Sequence, residues 1–230
     1  MTFIRETPFN EEDHPTLKLI KEDYGFIPNF FKAQAARPDL LDAEVQLVDA
    51  TLIKDGALTR QQKEYIFLVC SAANLSTYCV TAHCEIIRML KIQGPEPEQI
   101  ALDHMSTDLP IVDKALLNFS LKLNNHPLKI TQEDIDDLRT YGFDDRQILE
   151  TVMCVGLAKW ANCIGFGLGT VPDYEVRIDL EHTNDFTVGG NTVSAKVGGG
   201  TDQEDVFLLL ASKRAILDQS CIDKLDFRVE

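Results

Sequence analysis

Basic residues are scarce in this sequence of 230 residues. Lys and Arg together number 22 against 37 Asp and Glu, which gives a formal net charge of −15. A nucleic-acid backbone or an anionic membrane surface would be repelled by a chain of this charge. We therefore expect neither a nucleic acid nor a membrane among its partners.

Long apolar runs are also lacking. The longest, Ile66 to Ala73, is interrupted by Cys70 and Ser71, and falls well short of the roughly 18 residues that a membrane span needs. The first residues, Met1 to Glu6, are charged and have no apolar core of the kind found in signal peptides. We expect a chain that does not span a membrane and that works in the reducing cytoplasm.

Cysteines are present without the dense, paired spacing that cross-links small secreted domains. The six are Cys70, Cys79, Cys84, Cys154, Cys163 and Cys221. Free cysteines are among the most buried residue types, so burial is the ordinary explanation for any one of them. We expect most of these side chains to be free thiols.

Helical periodicity dominates the chain up to about Gly169. Apolar residues recur at spacings of three and four, and no stretch alternates as a half-buried strand would, which predicts an all-α domain over residues 1–174. Thr59, Thr131 and Asp144 are placed to begin helices, and Gly25 to end one. The last long helix, up to Leu168, is apolar on nearly every face and is predicted to be central.

A different pattern follows Pro172. Residues 186–188 and 192–197 flank Gly189, Gly190 and Asn191, which is typical of a β-hairpin. Residues 202–217 have the apolar spacing of one amphipathic helix. The sequence thus predicts a separate strand-plus-helix extension over residues 175–230.

Cys79, His83 and Glu64 form the strongest candidate for chemistry. Cys79 and His83 are four residues apart on one predicted helix, which places them on the same face. Cys79 falls in the first turn, where the helix dipole favours a thiolate, so we expect its pKa to be low. Glu64 lies on the preceding antiparallel helix and could orient His83 through a hydrogen bond.

Two other interpretations of these residues remain open. A cysteine and a histidine on an apolar helix are often simply buried. His83 and Cys84 could also suggest zinc, but adjacent residues point about 100° apart on a helix and no second ligand pair follows. We expect neither a metal nor another cofactor.

Several motifs together resemble one known group of proteins. They are Pro28-Asn29-Phe30, Arg37-Pro38-Asp39-Leu40-Leu41, the interval from Glu64 to Ser76, Asn74-x-Ser76-x-Tyr78-Cys79-x-x-x-His83, Tyr141-Gly142, and Asn162 before Gly167-Leu168-Gly169. Over residues 15–173 the chain resembles the AhpD-like superfamily, which includes the alkylhydroperoxidase AhpD, the carboxymuconolactone decarboxylases and, as the best match, the peroxidase-related proteins.

This resemblance implies an all-helical fold, assembly into homo-oligomers such as trimers or hexamers, and a thiol peroxidase site. It assigns the proton relay to Glu64 and His83, and the attack on a small hydroperoxide to Cys79. Tyr78 is usual in the peroxidase-related group. Ser76, by contrast, stands where active members carry the first cysteine of a Cys-x-x-Cys pair.

Because Ser76 stands in place of a cysteine, the group that would reduce the sulfenic acid of Cys79 remains open. A hydroxyl cannot convert a sulfenic acid into a disulfide, so Cys79 could act alone with an external thiol reductant. Cys84 or Cys163 could instead supply the second sulfur, if either lies close enough.

Two rival functions also remain open. A carboxymuconolactone decarboxylase-like enzyme would use the same pocket for acid-base chemistry on a carboxylate, and would need Arg60, Lys63 or Arg88 as a cationic anchor. A non-catalytic scaffold would keep a decayed site and assemble through residues 175–230.

Overall fold

The computed structural model describes residues 2–4, 8–9, 14–174, 186–188 and 191–193. The contacts of the chain divide it into two units, Met1–Tyr174 and Glu175–Glu230. Within the described residues of the first unit all regular structure is helical, which confirms the predicted all-α class.

The helices follow one another with short connections. They are α1 (Pro15–Tyr24), α2 (Asn29–Lys32), α3 (Pro38–Val48), α4 (Arg60–Ala73), α5 (Thr77–Met89), α6 (Pro97–Asp103), α7 (Ile111–Asn125), α8 (Gln132–Thr140) and α9 (Asp145–Leu168). A π-helical turn, Asp49–Ile53, continues α3, and 3-10 turns occur at His104–Ser106 and Pro127–Lys129. Two short helices, α2 and α6, were not predicted because they are too brief to show a period.

Several helix ends are formed by the capping interactions that were predicted. Thr59, Thr131 and Asp144 each form a capping box with the residue three positions later. Gly25 ends α1 with a φ of 80°, a left-handed conformation that costs glycine little. Since these signals need only neighbouring residues, they could be found in the sequence.

The central helix is α4, and the prediction that α9 is central was wrong. The side chains from Lys63 to Ala72 are all buried, because α5, α6, α7 and α9 pack around α4. One side of α9 packs against α4 and α7, whereas its other side is exposed. Helix α9 is therefore apolar on every face because its exposed side is also apolar, and not because the helix is central.

Helix α9 is also long and apolar enough, by length and composition alone, to cross a membrane. Polar residues interrupt its apolar sequence, so the length of the apolar runs did not indicate a possible membrane span. A core helix of a globular protein passes the same test, and α9 packs against four other elements of its unit.

In the second unit, the strands β1 (Phe186–Val188) and β2 (Asn191–Val193) pair antiparallel, with Thr187 opposite Thr192. The helix predicted over residues 202–217 lies outside the described residues.

Candidate active site

The connection between α4 and α5 positions the candidate nucleophile. Leu75 adopts a left-handed conformation with a φ of 61°, which is unfavourable for a residue with a side chain. The Leu75 amide donates to the Ala72 carbonyl and the Ser76 amide to the Ser71 carbonyl, at 3.0 and 2.9 Å, which closes α4 with a Schellman motif. This tight reversal places the first turn of α5 beside the end of α4.

Ser76 occupies the predicted N-cap position of α5, but its side chain makes no capping hydrogen bond. The residue is buried, and its polar side chain lowers the pKa of the nearby Cys79 thiol. The side chain at this position thus acts on the sulfur.

The antiparallel hairpin of α4 and α5 brings Glu64 and His83 together, as predicted. Oε2 of Glu64 lies 2.7 Å from Nδ1 of His83, and Oε1 accepts a 2.7 Å hydrogen bond from Nε of Arg60. Burial raises the pKa of Glu64, but the bond to His83 and the charges of His83 and Arg60 outweigh burial and lower it overall. The carboxyl is therefore ionised near neutral pH.

An ionised carboxylate can only accept, so the proton of neutral His83 lies on Nδ1. Nε2 is left as the nitrogen that can accept a proton. The ring is also fixed by Phe67, whose centroid lies 4.8 Å from that of His83. Glu64 and Phe67 together hold the imidazole in one tautomer and one orientation.

Cys79 is buried among polar side chains from two other elements. Ser76, Asn162 on α9 and Ser71 on α4 are hydrogen-bonding groups near its thiol. Burial raises the pKa of the thiol, the three hydrogen bonds lower it, and the charge of Glu44 raises it again. The net direction is upward, so the low pKa expected from the helix N-terminus was wrong for the resting protein: desolvation outweighs the dipole and the hydrogen bonds.

An amide network holds Asn162 in place. Its Nδ2 donates to Oγ of Ser71 at 3.0 Å, and its Oδ1 accepts from Asn74 at 2.8 Å. Asn74 and Asn124 exchange two further hydrogen bonds of 3.0 and 2.9 Å. Sequence reasoning missed Ser71 and Asn162 as site residues, since their contact with Cys79 depends on how α4, α5 and α9 pack.

Tyr78 precedes Cys79 in the first turn of α5 and binds the segment that follows α9. Its hydroxyl donates to Oδ2 of Asp173 at 2.7 Å, and Asp173 also accepts from the amide of Asn29. Burial and the carboxylate of Asp173 raise the pKa of Tyr78 far above its usual value. The phenol thus remains a donor, and the Pro28-Asn29-Phe30 motif is fixed against Tyr78, which also stacks on Phe30.

A cavity of about 100 Å³ joins these residues. Cys79 and His83 line it, together with aromatic and aliphatic side chains such as Phe30, Phe31 and Leu157. Its volume is smaller than that of an engineered cavity of about 150 Å³ that holds benzene. The space suits a small, mainly apolar molecule.

Glu44 contributes a carboxyl group to the lining of this cavity, and no sequence pattern indicated it. Its side chain is only 3% exposed, and neither carboxylate oxygen has a hydrogen-bond partner among the described residues. Burial raises the pKa of Glu44 to about 7, with the side chain of Gln34 acting in the opposite direction.

The other candidate thiols lie in different surroundings. Cys84 is buried beside Glu98 and Arg88, and burial raises its pKa well above the ordinary value. Cys163 is exposed. Neither is among the residues that line the cavity of Cys79. Over the described ranges, no cluster of three or more His, Cys, Asp or Glu side chains is arranged to hold a metal ion.

Comparison with protein-family models and with curated proteins finds no match for this sequence. Solved structures do match. An uncharacterised peroxidase-related protein from Ralstonia eutropha JMP134, described as an alkylhydroperoxidase AhpD core, superposes with a TM-score of 0.70 at 27% identity, covering 75% of this chain and 92% of its own.

Two further structures share the fold. A peroxidase-related protein from Silicibacter sp. TM1040 has a TM-score of 0.68 at 24% identity, covering 75% of this chain and 92% of its own. The debrominase Bmp8, in complex with 2,3,4-tribromopyrrole, has a TM-score of 0.63 at 18% identity, covering 75% and 94%. The helical unit and these structural neighbours show an AhpD-like fold and support the resemblance to the AhpD-like superfamily.

Proposed function

We propose that this protein is a thiol peroxidase that reduces small apolar hydroperoxides through Cys79. The observation that carries the proposal is the shared cavity. A thiol held by three polar side chains and an imidazole oriented by a buried carboxylate line the same small apolar space. These are the kinds of nucleophile, base and orienting group that nucleophilic catalysis uses.

The first step forms a thiolate. The raised pKa keeps Cys79 protonated at rest, so its proton passes to Nε2 of His83 when the peroxide is bound. Glu64 stabilises the imidazolium through its bond to Nδ1. The thiolate then attacks the terminal oxygen of the hydroperoxide: an S–O bond forms, the O–O bond breaks, and the alcohol leaves after gaining a proton.

An external thiol completes the cycle. Ser76 cannot form a disulfide, and Cys84 and Cys163 are free thiols that are not among the residues lining the cavity, so the sulfenic acid is reduced from outside. One thiol displaces water and forms a mixed disulfide with Cys79. A second thiol releases Cys79 and leaves as the oxidised disulfide. We therefore propose that the protein works in the cytoplasm, where such thiol reductants are found.

The decarboxylase alternative requires a basic side chain in the cavity to bind the carboxylate of the substrate. Neither Lys nor Arg is among the described residues that line the cavity, and Glu44 would repel a carboxylate there. Arg60 is bonded to Glu64, Lys63 donates to the Lys54 carbonyl, and Arg88 is paired with Glu85 and Glu98. We therefore do not propose this reaction.

Replacing Glu64 by Gln tests the relay. The substitution keeps the size of the side chain but removes the charge that stabilises the His83 imidazolium, so we expect peroxide reduction to fall roughly 100-fold. The measurement is consumption of tert-butyl hydroperoxide in the presence of a small thiol.

The matched control is Glu98→Gln. Glu98 is also a buried carboxylate paired with an arginine, Arg88, but it is not among the residues lining the cavity. We expect this variant to retain the wild-type rate. Equal losses in the two variants would show that Glu64 acts on stability alone.

We further propose that the outer face of α9 joins copies of this chain into a trimer or hexamer. Four exposed apolar side chains form one stripe along this helix: Leu149, Val152, Met153 and Trp160 are 62, 39, 45 and 48% exposed. A contiguous apolar patch of this kind is typical of a protein interface.

Trp160→Glu places a charge at the C-terminal end of this stripe and is expected to yield monomers in light scattering after gel filtration. Lys129→Glu, on an exposed 3-10 turn, is the control and should leave the assembly unchanged. A wild-type monomer, or an oligomer unaffected by Trp160→Glu, would contradict this assignment of the interface.

A further inference from the structure

Glu44 is a buried acid that the steps above leave unused. It lies on the face of α3 that also carries Leu41 and Val48, three residues before and four residues after it. Leu41 is part of the apolar core, and Val48 lines the cavity with Glu44. Helix α3 thus places the carboxyl group of Glu44 among apolar side chains.

Such placement is costly for a charged group. A buried carboxylate without hydrogen bonds loses its hydration and gains nothing in exchange, so the neutral form is favoured. Both Glu44 oxygens lack partners among the described residues. The pKa of about 7 follows from this burial, and a substantial fraction of the protein carries a neutral acid here at neutral pH.

Glu44 also acts on the nucleophile. Both groups line the same cavity, and the charge of Glu44 contributes to raising the pKa of Cys79. Ionised Glu44 would therefore hinder thiolate formation, whereas neutral Glu44 would not. The site works best when Cys79 has lost its proton and Glu44 has kept its own.

Peroxide reduction needs an acid of this kind. When the thiolate attacks the terminal oxygen, the other oxygen leaves as an alkoxide, which is a strong base and must be protonated. His83 is one acid on the cavity once it holds the thiol proton, and Glu44 is a second, which brings a proton of its own.

The other titratable groups on the cavity are weaker acids. They are the phenols of Tyr24, Tyr78 and Tyr174, whose pKa values are all raised by burial. The Tyr78 hydroxyl is in addition bonded to Asp173.

We propose that Glu44 is the general acid that protonates the leaving oxygen of the hydroperoxide. The proposal rests on the proposed peroxidase function. In this step the Cys79 sulfur gains a hydroxyl group and is oxidised to the sulfenic acid. The O–O bond breaks, the alkoxide takes the proton of Glu44 and leaves as the alcohol, and Glu44 remains as a carboxylate. His83 holds the former thiol proton, which restores Glu44 through solvent.

Two oxidants that differ in their leaving group test this role. Tert-butyl hydroperoxide releases a strongly basic alkoxide, whereas peracetic acid releases acetate, which leaves without a proton. Both are small enough for the cavity. The experiment measures single-turnover oxidation of Cys79 in the wild-type protein and in Glu44→Gln at pH 6.5.

We expect Glu44→Gln to oxidise at least tenfold more slowly with tert-butyl hydroperoxide, and within twofold of wild type with peracetic acid. The peracetic acid reaction also reports that the variant is folded with its site intact. A loss with both oxidants, or with neither, would overturn the assignment of Glu44 while leaving Cys79 as the nucleophile. No oxidation of Cys79 in the wild-type protein by either oxidant would overturn the peroxidase function and Glu44 with it.

The pH profile gives a second readout that a structural role would not change. When the thiol proton passes to His83, the reactive Cys79–His83 pair neither gains a proton from solvent nor loses one to it, whereas the acid fraction of Glu44 falls tenfold per unit above pH 7. With tert-butyl hydroperoxide, the wild-type rate should therefore fall above about pH 7. The Glu44→Gln rate should not show this fall, and a fall common to both proteins would contradict the proposal.

Discussion

Replacement of Cys79 by Ser is expected to reduce hydroperoxide consumption to the rate of the free thiol reductant alone, a loss of at least 1000-fold. An alcohol oxygen cannot be oxidised as the sulfur is, so no electrons can pass from the protein to the peroxide. The change in size is small, and Ser71, Ser76 and Asn162 can hydrogen-bond to a hydroxyl as they do to the thiol. The fold should therefore be retained.

Cys163→Ser is the matched control for this experiment. Cys163 is exposed and is the described cysteine most open to adventitious oxidation. Its replacement should leave turnover within twofold of wild type. If Cys163→Ser abolished activity and Cys79→Ser did not, the nucleophile would have been assigned to the wrong sulfur.

Replacement of Ser76 by Cys is expected to convert a protein that depends on an external thiol at the sulfenic acid stage into one that forms its own disulfide. The Ser76 side chain acts on the Cys79 thiol as a hydrogen-bonding group, so we expect a sulfur atom at the same position to reach the attacking sulfur. The new thiolate attacks the sulfenic acid of Cys79, an S–S bond forms, and water leaves.

We expect at least a tenfold gain in turnover with a dithiol reductant. After one equivalent of peroxide, the mass of the oxidised protein should show the loss of two hydrogens rather than the gain of an oxygen. Thr77→Cys is the control, because Thr77 is the next residue and points about 100° away around α5. A sulfenic acid that persists in Ser76→Cys would show that the two side chains do not approach as the structure places them.

The elements that could be predicted depend on neighbouring residues. Thr59 and Asp144 begin α4 and α9 through capping boxes, and Gly25 ends α1, each within four residues of the signal. The Glu64–His83 contact could be predicted as well, because two antiparallel helices joined by a three-residue connection bring these positions together.

What could not be predicted depends on the packing of distant elements. Asn162 reaches Cys79 from α9, and Glu44 reaches the cavity from α3, at sequence separations that no periodicity reveals. The direction of the Cys79 pKa was wrong for the same reason. The helix dipole can be inferred from sequence, whereas the depth of burial that outweighs it follows only from the assembled core.

The most direct measurement treats the wild-type protein with one equivalent of tert-butyl hydroperoxide, traps sulfenic acid with dimedone, and locates the adduct by peptide mass spectrometry. The adduct is predicted on Cys79, and it should be much reduced in Glu64→Gln. An adduct confined to Cys163, or none in a folded protein, would contradict Cys79 as the peroxide-reducing nucleophile.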